Sequence, residues 1–431
     1  MNLFVLCWKN LTNRPLSMIL SLVLFALGVG LISLLLVLNH QLDEKFEKNL
    51  AGIDMVVGAK GSPMQLILST MFHVDSPTGN ISIKEARPFL RPNHPFIKTA
   101  IPLSLGDSYQ GFRIVGTVPG ILELYGAEVE AGRIWEKTME VTVGAAVAEK
   151  QGLKVDDTFH SSHGFGIDDD LVHAEARAFH VVGILKPSGS AIDQLILTNT
   201  QSIWAVHSHG GGGHDEELEE ENHSPADTAA HGHDEDNLAD ADRPLADYED
   251  EDITALLIQF KGHSIQALNM PRNINENTNM QAATPAFEIK RLEYRMGTGT
   301  KALRWLAIII VAVSGLSIFI SLYSSLKERR YELALMRVMG ASPARLFTLI
   351  ILEGLLLATM GYLLGMVLSH AGMQVLAAQM EDAYRYTFSG LVFLKEEAYL
   401  LAGALGIGFL AAILPAIQAG NTEISTTLAE G

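Results

Sequence analysis

Residues 17–38, with the sequence SMILSLVLFALGVGLISLLLVL, form an uncharged stretch of 22 residues. A helix rises about 1.5 Å per residue, so this stretch is long enough to cross a hydrocarbon core of about 30 Å. Three similar apolar stretches follow at 302–323, 346–368 and 398–417. Buried helices of a soluble protein are the alternative, but they are shorter and carry more charge. The sequence therefore predicts an α-helical membrane protein with four transmembrane helices.

Basic residues next to these spans predict the orientation of the chain. Loops rich in Lys and Arg remain on the cytoplasmic side of a membrane. The segment 1–16 and the loop 324–345 are basic, which predicts that both are cytoplasmic, the first as a short interfacial helix. The tail 418–431 is then also cytoplasmic, and segments 39–301 and 369–397 lie outside. The basic residues are Lys9 and Arg14 before the first span, and Lys327, Arg329, Arg330, Arg337 and Arg345 in the loop.

The segment 39–301 is too long for a loop and predicts a large mixed α+β extracytoplasmic domain between the first and second spans. GFRIVGTV and ITALLIQF have strand patterns, and VTVGAAVAEKQGL is typical of a strand followed by a helix. The charged segments HQLDEKFEKNL and FEIKRLEYRMGTGTKALRW adjoin the spans. They predict that the first two spans continue outward as helical stalks.

Within this domain, residues 207–252 combine many carboxylates with six histidines. The segment has 17 acidic residues and one arginine, so it carries nearly all of the chain's net charge of −18. Few apolar residues are present, which predicts a disordered insertion. No basic face of the kind needed to neutralise the phosphates of a nucleic acid remains, which argues against a nucleic-acid partner.

The histidines of this insertion are candidate metal ligands, because neutral imidazole binds zinc and the surrounding carboxylates attract cations. Nothing in the spacing fixes a tetrahedral cage, so we expect weak zinc binding that fails as the histidines become protonated. A solvated loop with no role in metal binding is the alternative. The candidate ligands are His207, His209, His214, His223, His231 and His233.

The cytoplasmic loop and the start of the third span read SSLKERRYELALMRVMGASPARLFTLIILEG. Leu333 and Met336, with Val338 or Met339, could form an apolar stripe that enters a groove of a partner protein. Gly340 is placed to end this helix and Pro343 to begin the next. Glu353 lies inside the third span, where we expect a structural role near the inner interface.

This loop closely resembles the signature of the FtsX-like permeases, the MacB and LolC/LolE group of ABC transporters. NRPLSMILSLVLFALGVGL, VGAAVAEKQGLKVDDTF and the C-terminal PAIQAG and LAEG are further matches. The resemblance implies a bacterial inner-membrane permease subunit that couples ATP hydrolysis elsewhere to movement of its periplasmic domain. The cargo would be a lipoprotein, a lipid or another exported ligand.

The resemblance also implies partners. These are a separate ATPase that binds ATP and Mg²⁺, a second permease that is identical or paralogous, membrane lipids, and a periplasmic binding protein or lipoprotein. The ATPase-coupling residues would be Glu328, Arg329, Arg330, Glu332, Leu333, Met336, Arg337, Gly340, Ala341 and Ser342.

The chain is not expected to be an enzyme. The segment GTGTKA at 297–302 lacks the Gly-Lys-Ser/Thr ending of a phosphate-binding loop. Two alternative functions stay open. One is an FtsX-like signal transducer that regulates a cell-wall hydrolase. The other is a component of zinc acquisition, since VVGAKGSPMQLILSTMFHVDSPTGN is similar to a segment of metal-associated permeases and contains His73 and Asp75 as candidate ligands. A loop with Pro77 and Gly79 explains these two residues equally well.

Overall fold

The structure is a computed structural model of the 431-residue chain, and it describes residues 3–12, 15–74, 76–163, 178–208, 244–262, 264–384 and 388–421. The chain divides into two compact units. Residues 1–43 and 293–431 form the helical unit, and residues 44–292 form the α+β unit.

Twelve α-helices occur in the described part of the chain, and four of them are much longer than the rest. The helices are α1 (Leu3–Thr12), α2 (Pro15–Leu50), α3 (Pro63–Thr70), α4 (Ile83–Ala86), α5 (Gly120–Tyr125), α6 (Ala145–Gln151), α7 (Thr200–Ser208), α8 (Ile265–Asn277), α9 (Pro285–Glu328), α10 (Arg330–Val338), α11 (Pro343–Tyr384) and α12 (Lys395–Gly420).

Thirteen strands are found in the same described residues, and most are short. The strands are β1 (Met55–Ala59), β2 (Ile81–Ser82), β3 (Ile97–Tyr109), β4 (Phe112–Thr117), β5 (Val129–Gly132), β6 (Glu140–Val143), β7 (Thr158–Phe159), β8 (Ser162–His163), β9 (Phe179–Leu185), β10 (Ile196–Asn199), β11 (Asp252–Ile253), β12 (Ala255–Phe260) and β13 (Met280–Ala283).

The helical unit contains the four apolar helices that the sequence predicts. Helices α2, α9, α11 and α12 are each long and apolar enough to cross a membrane, and each contains one of the predicted spans. Helices α2 and α9 continue well beyond their apolar stretches, as the charged flanking segments predict. The fold class is therefore confirmed.

Small residues bring these helices close together. A Cβ atom added at Gly30 of α2 would lie 2.9 Å from the carbonyl oxygen of Gly365 in α11. A Cβ atom added at Gly408 of α12 would lie 2.8 Å from the carbonyl oxygen of Gly354 in α11. Close backbone approach at small residues is the usual way in which helices pack inside a bilayer, where lipid competes with every apolar contact.

The α+β unit is built on a mixed sheet with the strand order β13-β1-β12-β3-β4-β10-β6-β9-β5. The β10–β4 and β6–β9 pairs are parallel, and the other pairs along this path are antiparallel. Strand β3 pairs with β12 along residues 97–103 and with β4 along residues 104–109. It therefore joins two halves, each with its own hydrophobic core.

The predicted strand and helix patterns of this unit are found in the structure. GFRIVGTV contains β4, ITALLIQF contains β12, and VTVGAAVAEKQGL forms β6 followed by α6. Helix α6 ends at Gly152, which has a φ of +66° and provides the left-handed conformation that commonly closes a helix.

Candidate coupling site

The segment between α9 and α11 folds as a short helix bounded by two breaks. Arg329 separates α9 from α10. At the other end, Gly340 has a φ of +97°, which favours glycine because it has no Cβ atom. The backbone N–H groups of Gly340 and Ala341 donate to carbonyl groups of α10, and Pro343 begins α11. The predicted helix, stop and restart are thus present.

A polar cluster fixes the start of α10 to two other helices. The Nη2 atom of Arg329 donates to Oδ1 of Asn10 at 2.6 Å, and Nδ2 of Asn10 donates to Oε1 of Glu353 at 2.6 Å. The Nη1 atom of Arg329 lies 3.6 Å from the same Glu353 oxygen. Asn10 and Glu353 are buried, so this cluster compensates a carboxylate that would be costly to leave unpaired inside a bilayer.

One part of the predicted partner-binding stripe is wrong. Leu333 is 1% exposed and belongs to the core of the helical unit, and Met336 packs against that core. These side chains therefore contact their own chain. The exposed apolar side chains of α10 and its C-terminal end are Tyr331, Leu335, Val338 and Met339.

Helical periodicity explains the correction. Positions 331, 335, 338 and 339 follow the i, i+4, i+7, i+8 spacing of one helix face, whereas positions 333 and 336 share the opposite face. The sequence contains two apolar faces on this helix. Only the position of the neighbouring helices decides which of them is buried.

The other predicted coupling residues lie around this exposed face. Glu328, Arg330, Glu332, Gly340 and Ser342 are exposed, and Arg337 and Ala341 are partly buried. Arg329 is the exception among the arginines. Its side chain is 14% exposed, and its Nε also donates to Oε2 of Glu332 at 3.0 Å. The structure therefore brings the predicted residues together but gives Arg329 a structural contact.

A cavity of about 420 Å³ lies at the C-terminal end of α10, where Met336 and the turn 339–341 line it. Its lining includes Leu3 and Leu6 of α1, Met339 after α10, and Arg345 and Leu349 of α11. Sequence reasoning placed α1 on the membrane surface and did not connect it to the coupling segment. The sequence feature that could have indicated this contact is the short amphipathic pattern of α1, which is typical of helices that pack on a neighbouring helix.

At the opposite end of the helical unit, the structure contains a second buried acid, Glu397, that the sequence analysis did not identify. Glu397 is 3% exposed, and its Oε1 accepts a hydrogen bond from Ser33 at 2.8 Å and lies 3.2 Å from Nε2 of His370. The backbone N–H of Leu394 donates to Oε2 of Glu397 at 3.0 Å. Its position directly before the fourth predicted span made it look like an exposed flanking charge.

His73, the candidate metal ligand of the α+β unit, is in an unfavourable place for a cation. The Nε atom of Arg113 donates to the His73 carbonyl oxygen at 3.2 Å. Burial, and then the positive charge of Arg113, lowers the pKa of His73 to about 3. Its partner candidate Asp75 lies outside the described residues.

The histidine-rich insertion is largely outside the part of the chain that the structure describes. His207 lies at the end of α7, and His209, His214, His223, His231 and His233 lie outside the described residues. Among the described residues, no group of three or more His, Cys, Asp or Glu side chains is arranged to hold a metal ion.

Comparison with known proteins identifies the family. Residues 305–424 match the model of the FtsX-like permease C-terminal region, and residues 18–223 match that of the MacB-like periplasmic core domain. A comparison with curated proteins finds no match.

Two solved structures are similar to the chain. The periplasmic region of MacB from Actinobacillus actinomycetemcomitans is 9% identical, with a TM-score of 0.32, over 58% of this chain and 98% of that one. A domain of a candidate permease from Porphyromonas gingivalis is 14% identical, with a TM-score of 0.25, over 54% of this chain and 86% of that one. Because the two family models together match most of the chain, it belongs to the FtsX/MacB-like family of ABC transporter permeases.

Proposed function

We propose that this chain is the permease subunit of a mechanotransmission ABC transporter. It couples ATP hydrolysis by a separate ATPase subunit to movement of the α+β unit, which acts on a lipoprotein, a lipid or another exported cargo. The observation that carries this proposal is the braced helix α10, with its exposed apolar side chains Tyr331, Leu335, Val338 and Met339.

Helix α10 is suited to receive force from a partner. Its first residue follows Arg329, which is bound to Asn10 and Glu353, so a push on α10 is carried directly to α1 and α11. An exposed apolar helix face rimmed by charges is a common way to seat a helix in a partner's groove. Arg330 and Glu332 provide such a rim.

The basic residues of the helical unit support a cytoplasmic position for α10. Lys9, Arg330, Arg337 and Arg345 belong to the segments that join at the α10 end. Basic segments next to spans favour the cytoplasm, which is where ATP is hydrolysed. We therefore place both termini in the cytoplasm, the α+β unit in the periplasm, and the chain in the bacterial inner membrane.

Few ionisable groups lie in the apolar stretches of these four helices, which favours force transmission rather than a polar pathway through the bilayer. Glu353 is bound to Asn10 and Arg329, and Glu397 contacts Ser33 and His370. Both acids thus have partners within the helical unit. The proposal includes a second permease, either identical or paralogous, as the family resemblance implies.

The test is reconstitution of the full chain in lipid nanodiscs with the ATPase subunit that co-purifies with it. We expect Leu335→Asp to abolish capture of the ATPase, because a charge enters the apolar contact. Leu391→Asp makes the same change at an exposed leucine just before α12, away from α10, so it is the matched control and should retain capture. Unchanged capture and unchanged ATP hydrolysis in Leu335→Asp would overturn the assignment of this face.

A second experiment tests which cargo the α+β unit binds. Affinity capture through the α+β unit of the intact complex should recover a lipoprotein or lipid in an ATP-dependent manner. Recovery of a cell-wall hydrolase with no such cargo would overturn transport and favour a signal transducer.

A further inference from the structure

The α+β unit contains a cavity of about 190 Å³ whose lining is cationic. Arg91, Lys98 and Lys261 line it together with His94, and none of the described residues of the lining is acidic. Phe89 and Ile97 contribute apolar wall.

Strand register brings these cations together from separate parts of the chain. Lys98 lies on β3, and Lys261 directly follows β12. The antiparallel pairing of these strands sets Phe260 opposite Ile97, and the backbone N–H of Lys261 donates to the carbonyl of Phe96 at 2.8 Å. The loop that holds Arg91 and His94 leads directly into β3. The arrangement is therefore set by the core of the sheet.

The loop itself is restricted in conformation. Its sequence is Arg-Pro-Asn-His-Pro, from Arg91 to Pro95, and each proline fixes its own φ and restricts the residue before it. Asn93 has a φ of +60°, a left-handed conformation that asparagine tolerates better than most residues. A cavity wall made from such a loop changes little when a ligand binds, which lowers the entropic cost of binding.

The three cations have no acidic partner among the described residues. Other basic residues of the same unit do have one, for example Arg87 with Glu249 and Arg133 with Glu140. Like charges that converge on a concave site repel one another, and an anion removes that repulsion while accepting charge-assisted hydrogen bonds. Exposed lysines that are merely solvated are the alternative, and the test below separates the two.

His94 adds a neutral donor to the site. Its Nδ1 accepts hydrogen bonds from the backbone N–H groups of Phe96, at 3.3 Å, and Ile97, at 3.1 Å. The ring proton is therefore on Nε2, which acts as a donor. Burial, and then the charges of Lys261 and Arg91, lowers the pKa of His94. Lys261 and Arg91 lie with this ring in the lining of one cavity.

We infer that this cavity is a binding site for a phosphate group, either as a soluble phosphate or as the headgroup of an anionic phospholipid. Three cations and an N–H donor match the several acceptor oxygens of a phosphate, and arginine is especially suited to bind them in pairs. The volume corresponds to about six water molecules of ~30 Å³ each, so the cavity has room for a phosphate group. The inference does not depend on the proposed transport function.

The experiment uses the full chain in phosphatidylcholine nanodiscs and inorganic phosphate as the probe, at constant ionic strength set with chloride. We expect saturable phosphate binding by calorimetry. Each of Arg91→Gln, Lys98→Gln and Lys261→Gln should weaken it by about tenfold. Lys154→Gln, an exposed lysine elsewhere in the unit, is the matched control and should bind as the wild type does.

Two further arms complete the test. Nanodiscs that contain phosphatidylglycerol should compete with free phosphate if the headgroup is the occupant, and should leave phosphate affinity unchanged if the soluble ion is. Bound phosphate should also raise the pKa of His94, followed by its ring NMR signals and assigned with His94→Gln. Absence of binding by either probe, or equal binding by the three variants and by Lys154→Gln, would overturn the inference.

Discussion

The guanidinium Nη1 of Arg329 lies 3.6 Å from the carboxylate Oε1 of Glu353, and Asn10 bridges the two by hydrogen bonds. This contact joins the segment proposed to receive force from an ATPase to the interior of a membrane-spanning helix. Glu353 is 1% exposed, so its carboxylate requires a partner inside the protein, and Arg329 and Asn10 provide it.

Removal of Arg329 should therefore destabilise the helical unit. In Arg329→Gln the buried Glu353 carboxylate loses its positive partner, at an expected cost of about 3–5 kcal/mol. Thermal unfolding in nanodiscs measures the effect, with the exposed neighbour Arg330→Gln as control. The double variant with Glu353→Gln should recover much of the stability, since no charge is then left buried. A double variant no more stable than Arg329→Gln would contradict this stabilising contact between Arg329 and Glu353.

Glycine packing between α11 and α12 gives a second prediction. Gly408→Ala places a Cβ atom 2.6 Å from Ala358 Cβ and 2.8 Å from the Gly354 carbonyl oxygen, so the helices must separate. We expect a loss of about 1–3 kcal/mol in unfolding free energy. Gly406→Ala in the same helix meets no atom within 4 Å and should be neutral or slightly stabilising. Equal melting temperatures of the two variants would contradict this packing.

The salt bridge between Arg133 and Glu140 predicts a dependence of stability on pH. The Arg133 hydrogen bonds lower the pKa of Glu140 from 4.5 to about 2. The unfolded chain then binds a proton more readily, so this stabilisation is complete above about pH 4.5 and is lost as the pH falls towards 2. Glu140→Gln should show a shallower loss of stability in this range than the wild type does.

Denaturant unfolding followed by circular dichroism measures this dependence between pH 2 and pH 6. The control is Glu136→Gln, because Glu136 is 73% exposed and lies 3.8 Å from Arg133. That variant should follow the wild-type curve. If Glu140→Gln follows it as well, the pair does not contribute to stability.

Zinc binding by the histidine-rich insertion remains a prediction. We expect several weak sites in equilibrium dialysis of the full chain, lost when His207, His209, His214, His223, His231 and His233 are replaced by Gln. Zinc requires neutral imidazole, so binding should decrease as the pH falls through about 6.5. His73→Gln, outside the insertion, is the control. Zinc uptake that is equal in the two variants would contradict a role for the insertion.

Local pattern was sufficient to predict much of this protein. Span length and absence of charge predicted α2, α9, α11 and α12, because a bilayer requires each crossing segment to satisfy its own backbone hydrogen bonds. Gly340 and Pro343 marked the end of one helix and the start of the next, because both residues restrict the backbone locally. These features depend only on residues close together in the sequence.

Tertiary structure decided which of these residues are available to a partner. The sequence shows two apolar faces on α10, and only the packing of α10 against the other helices buries Leu333 and leaves Leu335 exposed. In the same way, the contacts of Arg329 with Asn10 and Glu353, and the meeting of Lys98 with Lys261, join residues distant in sequence. Sequence periodicity determines which residues share a face, but burial and charge pairing depend on what the rest of the chain places against that face.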